Sequence, residues 1–197
     1  MTPVDLRVVH QFVDVALESL RQNDLMHRPH PAMPVEMQDE TRAAEDDWIP
    51  WKPIPSTVTE HDVQQLEEQM NLRYPDLYKA FLRYQHFYEL RPEQEVNFFS
   101  HGVYEWKDTL LNAYFHSWDP AKLIKRGYVC FADYSDWGIV CFDTNHQRPE
   151  DNDCPIVMID HELLYHEPLS MEILSPSFAD LMRGLRAAQE NPRQPEE

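Results

Sequence analysis

A chain of 197 residues has room for one domain with a substantial core plus an extension, but would be crowded as two. Its 35 acidic side chains against 17 basic ones give a formal charge of -18, which opposes phosphate backbones and anionic membrane surfaces, so no direct nucleic-acid or membrane partner is expected. The same charge suits a cationic partner, or solubility alone. No apolar run approaches the ~20 residues that span a bilayer, and no basic segment followed by an apolar one opens the chain. The expectation is a cytoplasmic protein whose three cysteines, Cys130, Cys141 and Cys154, are reduced.

The first predicted helix opens with Thr2 as cap, Pro3 at the first helical position and Asp5 in the first turn. Val9, Phe12, Val13, Ala16, Leu17 and Leu20 then recur at helical spacing. From His27 to Asp47 prolines and an acidic run show neither helical nor strand periodicity, which predicts an extended connection and makes the first helix an accessory element. Thr59 and Asp62 start a helix through Met70 that turns Val63, Leu66 and Met70 inward and Glu60, Gln64, Glu67 and Glu68 outward, with Asn71 as its stop. Pro75 begins another, burying Leu77, Tyr78, Phe81 and Leu82, and further helices are expected over Tyr104 to Phe115 and Pro120 to Arg126.

Three apolar runs follow, Tyr128 to Phe131, Gly138 to Phe142 and Pro155 to Ile159, separated by polar turns, and they read as consecutive strands of a meander. Ser175-Pro176 opens a last helix with Phe178, Leu181, Met182 and Leu185 inward, and a tail follows from Asn191. The fold class is therefore α+β, an antiparallel or mixed sheet covered by helices on one side with an N-terminal accessory helix. The expected divisions are 1–47 (helix and acidic linker), 48–190 (a self-sufficient α+β domain) and 191–197 (tail).

The order of several motifs resembles the SUKH superfamily, of the Smi/Knr type. The segment Trp48 to Thr59 leads into Val63-Gln64-Gln65-Leu66-Glu67, then Tyr74-Pro75-Asp76-Leu77-Tyr78-Lys79-Ala80-Phe81-Leu82. The turn Asp133-Tyr134-Ser135-Asp136-Trp137-Gly138 and the strand end Asp160-His161-Glu162 complete the pattern, which covers much of residues 48 to 186. Where the family commonly carries glycines after the Phe-Leu helix, this chain has Gln85-His86-Phe87-Tyr88-Glu89. Bacterial members are largely immunity proteins that neutralise toxins, so the resemblance implies a stoichiometric binder with a cognate protein toxin as partner. Many such toxins resemble nucleases, and an acidic protein suits a groove built to hold phosphates. Resemblance to yeast cell-wall-synthesis regulators implies the alternative of a regulatory adaptor.

Little in the sequence points to chemistry. His161 and His166 stand five apart, a rotation of roughly 140° on a helix, so they miss the spacing of a zinc-binding pair. Glu150-Asp151-Asn152-Asp153 lacks the glycine and distal glutamate of a calcium loop, and His27 and His30 have no cysteine pair nearby. Cys154 carries no mark of an activated nucleophile, and the four glycines are too dispersed to cradle a phosphate. No cofactor, metal site or catalytic residue is expected. A small metal-dependent hydrolase assembled from Asp133, Asp143, Asp160, His161 and His166 stays open as a third reading.

The candidate binding surface is the acidic and aromatic turn Asp133, Tyr134, Ser135, Asp136 and Trp137, helped by Glu150, Asp151 and Asp153 on the next loop. The competing reading folds Tyr134 and Trp137 back into the core. Because hairpin ends alternate in a meander, the two loops are expected at opposite edges.

Overall fold

The computed structural model describes residues 3–29, 33–44, 47–91 and 95–191, so the expectations for Thr2, His30 and the tail after Asn191 lie outside the described residues. Helix α1 (Pro3–Gln22) buries the six apolar residues singled out by their spacing. The segment after it is better tied down than its composition suggests. Strand β1 (His27–Pro29) pairs antiparallel with β2 (Trp48–Pro50), and between them Met33 and Met37 are buried. Pairing with a partner some twenty residues away leaves no local period to read, and isolated methionines fill irregular gaps without forming a stripe.

Strand β3 (Ile54–Pro55) leads into α2 (Glu60–Met70), which starts on a reciprocal capping box between Thr59 and Asp62 and stops at Asn71 in the left-handed region. Glu67 is not on the outer face of α2 as expected. It is buried, accepting from the Tyr74 N–H at 2.8 Å and pairing with Arg73 at 2.9 Å and Lys79 at 3.3 Å. The corner into α3 (Asp76–Leu82) needs an acceptor for its free N–H, and a charge there is tolerable because it is paired. Gln85-His86, standing where glycines were anticipated, forms β4 (Gln85–His86) and pairs with β3.

The main sheet has five antiparallel strands in chain order: β5 (Val96–Phe98), β6 (Tyr128–Tyr134), β7 (Gly138–Asp143), β8 (Ile156–Asp160) and β9 (Glu172–Ser175). The three expected strands form its centre. The flanking β5 and β9 were not anticipated, because short edge strands bury few residues and show little alternation. Helices α4 (Trp106–Phe115) and α5 (Pro120–Lys125) lie between β5 and β6, and Gly127, at φ 74°, provides the left-handed turn out of α5. Helix α6 (Phe178–Glu190) is capped by Ser177 rather than opened at Pro176, since Ser175 still belongs to β9.

One face of the sheet holds the main core. Tyr78 is its hub, with the rings of Tyr74, Phe81, Phe131, Phe142 and Phe178 between 5.0 and 5.7 Å away. Helix α1 joins this same cluster in cis against α3 and α6, with Tyr84 donating to Asp14 at 2.8 Å and His10 stacked on Tyr84 at 3.9 Å. The expected boundary at residue 47 thus coincides with no break in the core. The opposite face carries a smaller cluster of Leu123, Tyr128, Cys130, Ile139, Cys141, Val157, Ile159 and Leu164.

A bulge between Cys130 and Ala132 disturbs the regular alternation of β6. Phe131 and Ala132 both join the main core, and Asp133, paired with Ile139, is thereby turned onto the opposite face. In a regular ladder of the same length, Asp133 would follow Val129 and Phe131 into the aromatic core.

Candidate functional site

The β6–β7 hairpin end gathers the first set of expected residues. Ser135 takes a positive φ of 54° at the tip, its N–H donating to the Glu95 carbonyl, while Asp136 and Trp137 are exposed. Tyr134 is half-buried against the main core and meets the Trp137 ring edge-on at 5.3 Å. The reading that folds both rings into the core therefore holds for Tyr134 alone, and Trp137 offers its ring to solvent. Gly138 is required here, since a Cβ would stand 2.9 Å from that of Tyr134.

Asp133 differs from its neighbours. It is half-buried on the face away from the main core, where it lines a hollow of about 580 Å³ with Phe99, Thr109, Asn112, Ala113, Ser117 and Trp118. Among the described residues no donor reaches its carboxylate, and burial pushes its pKa above the usual carboxylate range. Trp118 sits in the short turn between α4 and α5 at φ 57°, an unusual conformation for a bulky residue. Its ring stacks on His161 at 4.7 Å, and the buried Nδ1 of His161 has no hydrogen-bond partner among the described residues.

Trp118, Phe99 and the α4 residues were missed by sequence reasoning. The available signal was Trp118 itself, an aromatic between two helices in Ser117-Trp118-Asp119-Pro120. The strand end also differs from expectation: β8 stops at Asp160, whose carboxylate accepts from the Glu162 N–H and opens a tight 3-10 turn over His161–Leu163.

The second set lies at the other end of the sheet, in the connection from β7 to β8. Glu150 is exposed, and Asp151 is held by Arg148 at 2.7 Å, a hydrogen-bonded pair that lowers its pKa. Asp153 is withdrawn from the surface altogether. It is buried, accepting from the Cys154 and Phe178 N–H groups at 2.9 Å each and facing Arg148 at 3.3 Å. Its role is to fasten the loop to the start of α6, where the helix N-terminus favours a carboxylate. Burial raises its pKa, and the backbone donors and Arg148 act in the other direction.

The five residues of the hydrolase reading do not converge. Asp143 faces Tyr128 at one end of the sheet and is bound by His146 at 2.7 Å, whereas Asp160 pairs with Gly138 at the other end. His166 is exposed, and Asp133 lies in the hollow. Among the described residues no group of three His, Cys, Asp or Glu side chains is placed to hold a metal. Cys130 and Cys141, directly opposite on β6 and β7, are free thiols with sulfurs 3.4 Å apart, and burial holds the Cys141 thiol well above its ordinary pKa. No helix among the described residues is long and apolar enough to cross a membrane.

Compared with known proteins, residues 57–184, well over half of the chain, match the family described as SMI1 / KNR4 family (SUKH-1). No curated protein matches the chain.

Proposed function

Since the chain belongs to the SMI1 / KNR4 family (SUKH-1), we propose that it is an immunity protein that binds and neutralises a cognate bacterial toxin by stoichiometric contact. The supporting observation is the gathering of Asp133, Asp136, Trp137 and Trp118 near one end of the sheet, on and beside a rigid central hairpin. Rigid aromatic rings supply contact area at low entropic cost, and carboxylates beside them select basic groups. With a net charge of -18, the partner of choice is a basic protein, such as a nuclease with a phosphate-binding groove. Complementary charge speeds capture, which matters for an inhibitor acting in the cytoplasm of the cell that makes the toxin. No bond is made or broken; the toxin is silenced by occupation of its groove.

Co-expression with the toxin domain encoded in the neighbouring reading frame tests this. Restored growth, together with a one-to-one complex from the purified proteins, is the expected result. A neighbouring product that is harmless, or remains lethal in the presence of this protein, would overturn the reading in favour of an adaptor.

A further inference from the structure

We propose that the hollow between α4, Phe99, Trp118 and Asp133 is an arginine anchor: it receives one guanidinium from the surface of a basic protein partner, with Asp133 as counter-ion. The proposal deepens the binding reading above by naming the group recognised, but it is testable on this chain alone.

The chemistry of the lining selects the occupant. Among the described residues that line the hollow, Asp133 alone is charged; Thr109, Asn112 and Ser117 are polar and uncharged, and Phe99, Ala113 and Trp118 are apolar. A half-buried carboxylate without a donor among the described residues has lost part of its water without gaining a protein partner. A guanidinium restores what was lost, because two of its N–H groups can meet one carboxylate in parallel. The side-chain oxygens of Thr109, Asn112 and Ser117 can take remaining donors. Phe99 and Trp118 then flank a flat, weakly hydrated cation, which stacks on aromatic faces better than a compact ammonium does.

Two features hold the hollow ready before a partner arrives. Asp133 belongs to β6, paired on both sides by β5 and β7, and Trp118 is fixed by its left-handed turn and by its stack on His161. Such fixed walls reduce the ordering cost of binding. The hollow opens to solvent, so it suits a side chain projecting from another surface better than a free ligand needing enclosure. A second copy of this chain, with its own charge of -18, would be repelled.

The test is an NMR titration of the whole chain with the blocked tripeptide acetyl-Gly-Arg-Gly-amide, following the Trp118 indole N–H. Citrulline and lysine versions of the peptide serve as the neutral isostere and the non-planar cation. The arginine peptide should give a saturable shift, with the citrulline peptide about tenfold weaker or more and the lysine peptide weaker by a smaller factor. Asp133→Asn, which keeps the side-chain shape, should weaken the arginine peptide by about tenfold or more, whereas Glu68→Gln on the exposed face of α2 should change it less than about twofold. Trp118→Leu, read at the Asn112 side-chain amide, should also weaken it. Equal binding of arginine and citrulline peptides, an unaffected Asp133→Asn variant, or no saturable shift up to about 10 mM peptide would overturn the anchor. Equal binding of the lysine peptide would overturn the assignment to arginine. A toxin neutralised without any peptide binding sinks the anchor and spares the immunity reading; a peptide bound with no toxin neutralised does the reverse.

Discussion

Glu67 shows how one residue can be placed by a need that periodicity does not reveal. Its position on α2 reads as outward by helical spacing among acidic neighbours, yet the chain turns so tightly into α3 that the Tyr74 N–H is closed off from water and needs an acceptor. Glu67→Ala would leave that donor unmet and strip Lys79, itself 13 % exposed, of a buried counter-charge. A loss of about 3 kcal/mol is expected in urea unfolding, and a change below about 1 kcal/mol would show that solvent reaches the corner. His101 poses a different demand. Burial, and then the neighbouring His86, lowers its pKa from 6.5 to about 3, while its Nε2–H donates to the Leu82 carbonyl at 2.7 Å. The unfolded chain takes up this proton below pH 6.5 and the folded one does not, so stability falls as pH drops from 6.5 towards 3. This group alone adds a slope of about 1.4 kcal/mol per pH unit inside that window. Urea midpoints of the protein and a His101→Gln variant, compared at pH 7.5 and 5.5, should show the shallower dependence in the variant.

Among the elements, α2 and α1 make opposite predictions about size. Thr59→Ala removes one half of an exposed capping box, so a loss of about 1 kcal/mol in thermal or urea unfolding is expected, without change of fold. Removal of residues 1–45 acts on another scale. Val9, Phe12, Val13, Ala16 and Leu20 are each 3 % exposed or less, and buried side chains of the larger kinds contribute about 1.5–3 kcal/mol apiece. Their sum rivals the 5–15 kcal/mol that typically holds a domain together, so the truncated chain should lose cooperative unfolding and bind a hydrophobic dye. A sharp thermal transition in the truncated protein would restore residue 47 as a boundary. The central strands and the capped helices were legible because their signals are local: alternation, a cap, a stripe. The β1–β2 pairing, the short strands β5 and β9 and the buried Met33 and Met37 were not, since each depends on a partner distant in sequence. The site was legible to the same extent. Asp136 and Trp137 stood out as an exposed tip, but the hollow depends on α4 and Trp118 coming to β6 from other segments, and Asp153 was drawn inward by the start of α6.

For the molecule as a whole, a charge of -18 acts at distances where no contact exists, and salt removes it first. Raising ionic strength from about 0.05 to about 0.5 M should slow association with a basic toxin by about tenfold or more while changing the dissociation rate much less. A salt-independent association rate would mean that the acidity serves solubility alone. The bulge in β6 carries a consequence of another kind, because it makes display a question of parity. The ring cluster pins Phe131, and a close approach to Tyr134 and Met158 pins Gly138. Between these pins, which face a side chain takes depends on whether the count of paired positions is odd or even, not on its chemistry. Deleting Ala132 while straightening the ladder would leave Asp133 on its present face, so a shorter relative can present the same carboxylate. A relative of equal length with a regular ladder would instead turn its Asp inward and present Ala and Tyr, offering an apolar surface to a different class of partner from the same order of residues.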